Sequence, residues 1–461
     1  MKLVDIINKI NSRMPDTVKI LNGRLFTKIP NSLIYGKVYR NARKFLEETQ
    51  HYTKEQIEEM QFLKLKKIVS ECYNRSPFYR RFYKEHGFSP GMLKDLSDIN
   101  KIPPIDKSIV RKEIKNIAIP LSFKYFVSMS RTGGTCTSPM VFPEILEAKI
   151  WERAFIDRFY SWHNLKDTDP KISFKGGHAG PKVAWYYSPF LKSTVFTFWD
   201  IFEERIKTYS EIIQKIKPKA IVASYPSLVY AFARAINKGL IPKLESIKII
   251  FCSSETLFPY QIKEIEAAFG IKPIDYYGQN ERVSLIQQCV NRQYHIIPEY
   301  GITEILDENN RPITNGVGEI VGTGFLNRAF PLIRYKTGDF AVINLNKTCS
   351  CGLSYTCIEK IEGRSGDFLK TDNGMAFSPT VIESTVDNFK HFKDIQFIQN
   401  SINQVDILLC PDNGYDMTDG ENLIRDLTYR TKNRIKFRLK IVEKIPRPKN
   451  SKKRLIISKI E

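Results

Sequence analysis

The segment Ile274-Asp275-Tyr276-Tyr277-Gly278-Gln279-Asn280-Glu281 decides the fold of this chain of 461 residues. Its apolar and aromatic first half predicts a strand, and the Tyr-Gly pair predicts a tight turn followed by polar side chains. In an open α/β fold such a turn lies at the carboxyl end of a parallel strand, where ligands gather. The alternative is a strand-ending turn whose aromatic residues belong to the core.

The chain before this segment alternates between short strands and helices. The β-branched runs 220–223 and 247–251 predict strands, and helices are predicted at 226–238 and 260–269. Strands separated by helices of ten or more residues are typical of α/β units. We therefore predict an α/β domain with largely parallel pairing between about residues 120 and 345.

The two ends of the chain differ from this pattern. Residues 1–100 are predicted to be mostly helical, as part of the large domain. From residue 363 onward, predicted strands and helices form a compact α+β module, and Gly363 and Gly366 flank Arg364 as in a hinge. The predicted divisions are therefore 1–100, a core at 101–362, and a small lid at 363–461.

The composition is that of a soluble globular protein, with 42% hydrophobic and 26% charged residues. No stretch approaches the roughly 20 apolar residues of a membrane span, and the N-terminus lacks a signal-peptide core, so we expect a cytoplasmic protein. The formal charge of +21 favours anionic partners such as nucleotides, nucleic acid or anionic lipid surfaces. The alternative is a lysine bias dispersed over solvated faces, and no known nucleic-acid motif is present.

A second informative segment is Arg131-Thr132-Gly133-Gly134-Thr135-Cys136-Thr137-Ser138-Pro139, in a predicted loop at 128–139 that follows a predicted strand at 125–127. Glycines let the backbone approach a phosphate, and hydroxyls with free N–H groups bind its oxygens. The segment is not a Walker A loop, because no Gly-Lys-Ser/Thr follows. The alternative is a flexible polar turn.

A third segment is Ile333-Arg334-Tyr335-Lys336-Thr337-Gly338-Asp339. Asp339, directly after a Thr-Gly turn, can accept both hydroxyls of a ribose, although an Asx turn is the simpler alternative. In the first segment, an aromatic ring can stack on adenine and the Glu281 carboxylate can hold Mg²⁺ against phosphate. Together the three segments predict a site for ATP.

In this order the segments resemble the motifs of the adenylate-forming superfamily, and within it the phenylacetate–CoA ligase-like group that includes CapK-type capsule proteins. The family's phosphate loop aligns with 132–139, its Tyr-Gly-x-Thr/Ser-Glu motif with 277–281, its Tyr-Arg-Thr-Gly-Asp motif with 335–339, and its Gly-Arg-x-x-Asp segment with 363–367. The resemblance implies a large N-terminal multi-sheet α/β domain with a small mobile α+β C-terminal domain.

The resemblance also implies a role for each matched residue. Glu281 would bind Mg²⁺, and Lys453 would bridge the substrate carboxylate and the α-phosphate of ATP. The residues implied to surround the nucleotide are Thr132, Gly134 and Thr135 at the phosphates, Tyr277, Gly278 and Asn280 at the adenine turn, Ser254 and Glu255 at the neighbouring strand end, and Asp339 and Arg364 at the ribose.

Some residues depart from the family motifs. Gly133, Cys136 and Thr137 alter the phosphate loop, and Gly366 stands where many members carry an acidic hinge residue. Lys452 replaces the glycine before the catalytic lysine, so Lys452 stays open as an alternative to Lys453.

The resemblance implies an AMP-forming acid–thiol ligase. It would activate a small carboxylic acid with ATP, release pyrophosphate and transfer the acyl group to coenzyme A. One alternative acceptor is an amine on a sugar or glycan intermediate of surface polysaccharide biosynthesis. Another alternative is a catalytically silent family member that serves as a binding scaffold. The sequence names neither the acid nor the oligomeric state.

The cysteines do not form a disulfide framework of the secreted type, and four of the eight crowd one region. Cys289, His295, Cys349 and Cys351 supply three thiols and one imidazole, a set suited to a structural Zn²⁺ site that would clamp two nucleotide segments together. Cys357 competes as a ligand. The alternative is a group of unrelated cytosolic thiols.

Overall fold

The structure is a computed structural model. It describes residues 14–120, 126–131, 140–176, 184–189, 191–198, 203–364, 369–372, 376–377, 382, 385–386, 389, 391–431, 433–445 and 454–460. Within these ranges no helix has the length and apolar character needed to cross a membrane.

Helices dominate the N-terminal part, as predicted. They are α1 Asp16–Thr27, α2 Asn31–Ile34, α3 Gly36–Thr49, α4 Lys54–Arg75, α5 Pro77–Glu85 and α6 Lys107–Ile117, with 3₁₀ turns at Pro90–Met92 and Leu96–Lys101. The Thr53 side chain and Gln56 form a capping box that starts α4. The helix ends at Arg75 because Ser76, which precedes Pro77, has an extended backbone.

A 12-stranded sheet forms the centre of the large domain. Its strands are β3 Lys171–Gly176, β4 Trp185–Ser188, β5 Ser193–Phe198, β6 Ala220–Ser224, β7 Ile249–Ser253, β8 Ile274–Gly278, β9 Leu285–Gln288, β10 Tyr294–Ile296, β11 Gly301–Leu306, β12 Asn315–Gly324, β13 Tyr335–Asn344 and β14 Cys357–Arg364. Their spatial order is β11-β12-β13-β14-β10-β9-β8-β7-β6-β3-β5-β4.

One half of this sheet is the predicted parallel α/β unit. Strands β5, β3, β6, β7 and β8 pair in parallel. The helices α8 Glu203–Ile216, α9 Pro226–Asn237 and α10 Pro259–Phe269 connect successive parallel strands from β5 to β8. The predicted strands and helices of this region are confirmed to within two residues at their ends.

The other half of the sheet is antiparallel. From β8 to β11 in the spatial order, every neighbouring pair runs antiparallel. The prediction of largely parallel pairing up to residue 345 is therefore wrong from β9 onward. The described connections between β9 and β14 hold no helix, and parallel neighbours need such a crossover.

A smaller antiparallel pair lies beside this sheet. Strand β1 Val127–Arg131 pairs with β2 Val141–Ile145, which leads into helix α7 Leu146–Trp162. The sequence prediction ended a strand at residue 127 and began a loop at residue 128. The strand instead continues to Arg131, because its alternating residues form a complete ladder with β2.

The C-terminal part is the predicted α+β module. Strands β15 Leu369–Lys370 and β16 Ala376–Phe377 form a small pair, and the main sheet contains β17 Phe392–Ser401, β18 Gln404–Pro411, β19 Lys436–Ile441 and β20 Ile456–Ser458. Its order is β19-β18-β17-β20, with helix α11 Met417–Arg430 between β18 and β19.

Candidate nucleotide-binding site

Of the predicted site residues that the structure describes, Ser254, Glu255 and Tyr277 lie at the carboxyl ends of the parallel strands β7 and β8. Ser254 directly follows β7 and has a left-handed backbone with φ of 75°. The Glu255 Oε2 atom accepts a hydrogen bond of 3.1 Å from the backbone N–H of Ser227, in the first turn of α9. A carboxylate in this position is stabilised by the helix dipole, so Glu255 ties the end of β7 to the start of α9.

Tyr277 and Asp339, two predicted nucleotide contacts 62 residues apart, touch directly. The Tyr277 hydroxyl donates a hydrogen bond of 2.8 Å to Asp339 Oδ2, and Gln279 Nε2 donates one of 2.7 Å to the same hydroxyl. Burial, together with the Asp339 carboxylate, raises the pKa of Tyr277 well above its usual value, so the phenol stays protonated. The contact holds the Tyr-Gly turn against β13.

Arg364 joins this group through the sheet. Its backbone lies opposite Asp339 in the ladder between β13 and β14. The fold thus places Tyr277, Asp339 and Arg364 together from three separate segments, as the family motifs imply.

The turn after β8 also reaches the start of the candidate phosphate loop. The Asn280 side-chain amide donates a hydrogen bond of 2.8 Å to the backbone carbonyl of Arg131, the last residue of β1. Glu281 is half-buried in the same turn. Thr132, Gly134 and Thr135 lie outside the described residues, and so do Lys452 and Lys453.

An ion cluster behind this turn was missed by the sequence analysis. Arg282, with a left-handed φ of 56°, pairs with Glu144 of β2 and with Glu152 of α7. Burial alone would raise the pKa of the Glu144 carboxyl, but Arg282 and Ser130 hold it below its usual value. The cluster fixes the turn to β1 and β2. Only the adjacency of Arg282 to Glu281 could have drawn attention to it.

Three glycines of the neighbouring strands let this turn lie close to the sheet. A Cβ atom on Gly324 would come within 2.4 Å of the Arg282 carbonyl oxygen. Cβ atoms on Gly301 and Gly322 would come within 2.8 and 2.7 Å of the Val283 carbonyl oxygen. Real Cβ atoms do not approach backbone atoms so closely. The chain after Glu281 can therefore follow this path only because these three positions have no side chain.

Arg334 positions the strand that carries Asp339. Its side chain is 2% exposed, and it donates to both oxygens of Glu304 at 3.0 and 2.8 Å. A further hydrogen bond of 2.7 Å runs from Arg334 to the Ile102 carbonyl oxygen. This buried pair joins β11, β13 and the segment before α6, so Arg334 is a structural residue within the third motif.

The Cys/His group converges as predicted. The ligand atoms of Cys289, His295, Cys349 and Cys351 lie within 4.8 Å of one another. The Cys289 and Cys349 sulfurs are 3.6 Å apart, and the Cys351 sulfur lies 3.4 Å from His295 Nε2. His295 Nδ1 lies 3.3 Å from the Tyr355 carbonyl oxygen, a partner that leaves Nε2 for a metal. Three sulfurs and one imidazole nitrogen fit tetrahedral Zn²⁺.

Cys357, the competing ligand, lies on the other side of the imidazole. Its sulfur is 3.7 Å from His295 Nδ1, the nitrogen that faces the Tyr355 carbonyl. The described geometry therefore favours the set with Cys349 and Cys351.

The C-terminal module contacts the far end of α9. Lys238 donates to the two carboxylate oxygens of Asp412 at 2.6 and 2.8 Å, and Arg234 pairs with the same carboxylate and with the Phe392 carbonyl oxygen. The Tyr260 and Phe392 rings meet edge to face, with centroids 5.8 Å apart. This interface, formed by α9 and α10 against the start of β17 and the end of β18, is the docking interface.

The chain is similar in sequence to known proteins. Residues 369–459 match the family model of the CapK C-terminal domain. The chain is 26% identical to Protein CapK of Staphylococcus aureus, over 93% of this chain and 96% of that protein. It is 25% identical to phenylacetate-coenzyme A ligase of Thermus thermophilus, over 72% of this chain and 76% of that protein.

A solved structure shows the same fold. The crystal structure of 2-hydroxyisobutyryl-CoA ligase in the postadenylation state, in complex with 2-HIB-AMP, matches with a TM-score of 0.73 at 19% identity. The match covers 89% of this chain and 91% of that chain. The predicted fold class, a large multi-sheet α/β domain followed by a small C-terminal domain, is confirmed.

Proposed function

Because the chain is an adenylate-forming protein of the CapK-type, phenylacetate–CoA ligase-like group, we propose that it is an ATP-dependent carboxylic-acid ligase that forms an acyl-adenylate and passes the acyl group to coenzyme A. The observation that carries the proposal is the convergence of Tyr277, Asp339 and Arg364 at the carboxyl edge of the parallel strands. Ligands of open α/β folds bind at that edge.

The first half-reaction joins the acid to AMP. A carboxylate oxygen of the acid attacks the α-phosphorus of ATP, and the bond to the bridging oxygen of the β-phosphate breaks, so that pyrophosphate leaves. Mg²⁺ would supply positive charge to the phosphates, and the half-buried carboxylate of Glu281 fits its preference for oxygen ligands. Lys453, assigned from the sequence motif alone, would offset the charge that develops as the two anions meet.

The protein residues at the edge would orient the nucleotide. Asp339 accepts a hydrogen bond from Tyr277 at Oδ2, which fixes the orientation of its carboxylate, and this carboxylate would bind the ribose hydroxyls. The Asn280 contact to Arg131 would keep the phosphate loop beside the turn that carries Glu281. In the second half-reaction the thiol sulfur of coenzyme A attacks the acyl carbonyl, loses its proton, and AMP departs.

An amine acceptor is the second candidate, and one observation favours it. The similarity to Protein CapK covers 96% of that protein, whereas the similarity to the phenylacetate-coenzyme A ligase covers 76% of that ligase. The C-terminal module, which matches the CapK family model, would face the acceptor after adenylation. The nearly full-length similarity is thus to a protein that is not named as a coenzyme A ligase, which keeps the amine acceptor as the alternative.

A carboxylic-acid screen tests the ligase proposal. Pyrophosphate release should appear with at least one acid, and hydroxylamine should trap the activated acyl group as a hydroxamate. Glu281→Gln and Lys453→Ala should each slow this step by roughly a hundredfold or more, because the first weakens the proposed Mg²⁺ ligand and the second removes the cation that offsets developing charge. The exposed Glu308→Gln variant is the matched control. Absence of pyrophosphate release with every acid would favour a binding scaffold instead.

The trapped adenylate then distinguishes the acceptors. Coenzyme A and a set of amino sugars are offered separately to the protein loaded with acid and ATP. Formation of a thioester supports the first candidate, and formation of an amide supports the second.

We also propose that Cys289, His295, Cys349 and Cys351 bind a structural Zn²⁺ ion. The site would join the connection between β9 and β10 to the one between β13 and β14. Protein purified without chelators should contain one zinc per chain. Cys351→Ser should lose the metal and Cys357→Ala should retain it, because Cys357 lies at the other imidazole nitrogen. Metal-free wild-type protein would exclude this site.

A further inference from the structure

Helix α1 carries an apolar row on the side that faces away from the protein. Val18, Leu21 and Leu25 follow helical spacing and are 39%, 56% and 58% exposed. The row continues beyond the helix end with Ile29 and Leu33, which are 38% and 70% exposed. These five residues form the α1 row, and Phe26, which is 40% exposed, borders it where its ring meets the Tyr187 ring, with centroids 6.5 Å apart. A surface helix of a globular protein ordinarily turns such a row toward the core.

The opposite face of α1 is already packed, so the helix cannot simply turn its apolar row inward. Lys19 lies over the Trp185 ring at 4.6 Å, and Thr27 shares a hydrogen bond of 3.1 Å with the Tyr187 hydroxyl. A Cβ atom on Gly23 would lie 3.1 Å from the Tyr187 ring. The helix therefore rests on edge strand β4 by the face that carries Lys19, Gly23 and Thr27, and Ile20 packs against the adjoining core.

The α1 row is concentrated. Six of the 21 large apolar residues that are exposed in the described part of the chain fall between residues 18 and 33. Isolated exposed apolar residues are ordinary, whereas a contiguous group marks an interaction surface. The α1 row therefore indicates a surface that binds a partner.

Basic residues surround the row and indicate the chemistry of that partner. Residues 14–45 contain seven Lys and Arg and one acidic residue, Asp16. On the helix itself, Arg24 and Lys28 lie beside Leu21 and Leu25. An apolar stripe flanked by basic side chains suits the headgroup region of an anionic bilayer.

The same charges argue against two other occupants. Pairing of two copies through this face would bring Arg24 and Lys28 of both copies together, and like charges oppose such contact. The segment 1–13 is itself basic, with Lys2, Lys9 and Arg13 against Asp5, so its charge does not complement the basic residues around the row.

We propose that the α1 row docks the protein onto an anionic lipid surface. The helix would lie in the plane of the membrane, with its apolar side chains among the acyl chains and Arg24 and Lys28 at the headgroups. The surface lies at edge strand β4, at the end of the sheet, and is separate from the strand ends that carry the nucleotide residues. The proposal therefore stands or fails independently of the ligase activity.

Co-sedimentation with vesicles tests the proposal on the full-length chain. Wild-type protein should bind vesicles of phosphatidylcholine with phosphatidylglycerol and should not bind phosphatidylcholine alone. Leu21→Ser/Leu25→Ser should lower the affinity roughly tenfold or more, since burial of the leucines drives insertion. Arg24→Gln/Lys28→Gln should weaken binding and reduce its dependence on salt, because fewer charges face the lipid.

The matched control is Leu345→Ser/Ile402→Ser, which changes two apolar residues that are each 49% exposed elsewhere. It should bind as the wild type does, and circular dichroism should show that all variants are folded. Equal binding by the α1 and control variants would overturn the proposal, as would equal binding to neutral and anionic vesicles. A lipid-free dimer that Leu21→Ser/Leu25→Ser dissociates, or vesicle binding that appears only after removal of residues 1–13, would overturn it in favour of another occupant.

Discussion

Removal of the Asp412 carboxylate should release the C-terminal module from the large domain. Asp412 is the centre of the docking interface: Lys238 contacts both of its oxygens, and Arg234 contacts it while also binding the Phe392 carbonyl. The side chains of Arg234 and Asp412 are 15% and 11% exposed, so water screens this pair only partly. Asp412→Ala leaves both cations and removes their shared partner.

The magnitude follows from the contacts. A hydrogen bond to a charged group contributes about 1.5–3 kcal/mol, whereas a pair near the surface such as Lys238 with Asp412 contributes about 0–1 kcal/mol. A loss of about 2 kcal/mol lowers the ratio of docked to released protein about thirtyfold. The apolar contacts around Tyr260 and Phe392 remain, so the module should be released only in part of the molecules.

Two assays check this prediction. Small-angle X-ray scattering should show a larger mean radius of gyration for Asp412→Ala, and the adenylation half-reaction should slow because the module carries Lys453. The matched control is Asp406→Ala, which removes an ion pair of 2.8 Å with Lys440 inside the module. Arg234→Asp combined with Asp412→Arg should restore only part of the docking, because Lys238 would face the introduced guanidinium and the bond to the Phe392 carbonyl would be lost. Unchanged scattering and unchanged adenylation in Asp412→Ala would refute the reasoning.

The same interface should respond to acid. Burial would raise the pKa of the Asp412 carboxyl, but Lys238 and Arg234 hold it below its usual value. A depressed pKa means that the carboxylate stabilises docking at neutral pH and that this stabilisation is lost as the pH falls through the depressed value. Scattering of the wild-type protein should therefore show release only in strongly acidic buffer.

Three further perturbations probe the site and its support. Glu304→Ala should lower the free energy of unfolding by about 3–5 kcal/mol in urea titrations, because it leaves Arg334 buried and unpaired, whereas exposed Glu308→Ala should have little effect. Tyr277→Phe should raise the dissociation constant for ATP roughly tenfold in equilibrium binding without unfolding the protein, since Asp339 loses the donor that orients it; unchanged affinity would count against the ribose assignment. Zinc chelation should lower the Tm of the wild type and leave that of Cys351→Ser unchanged, and an equal decrease in both would contradict the metal site.

The sequence predicted those parts of the site that local motifs define. Tyr277 and Asp339 were assigned to one nucleotide, and the structure places their side chains in direct contact. The Cys/His group was likewise predicted from residue types, and its ligand atoms converge. In both cases the residue types suit only a few roles. Their order in the sequence could therefore predict which side chains lie close together.

The parts that sequence analysis missed depend on distant partners. Arg282 gains its role from Glu144, which lies on another strand 138 residues away. Arg334 reads as part of a motif, yet its guanidinium is buried against Glu304. The prediction of parallel pairing failed beyond β8 because the residue types of a strand do not by themselves show the direction in which its neighbours run. Helical periodicity in α1 could not show which face is covered, since that depends on edge strand β4.

The three glycines beneath the turn also constrain how this protein can diverge. Gly301, Gly322 and Gly324 are each constrained by backbone oxygens that would lie within 2.8 Å of a Cβ atom. In a homologue with a side chain at one of these positions, the segment after Glu281 would have to follow a different path. Glu281 itself would then move. A change in this turn could therefore begin with a methyl group on the strand beneath, while every predicted nucleotide contact remained unchanged.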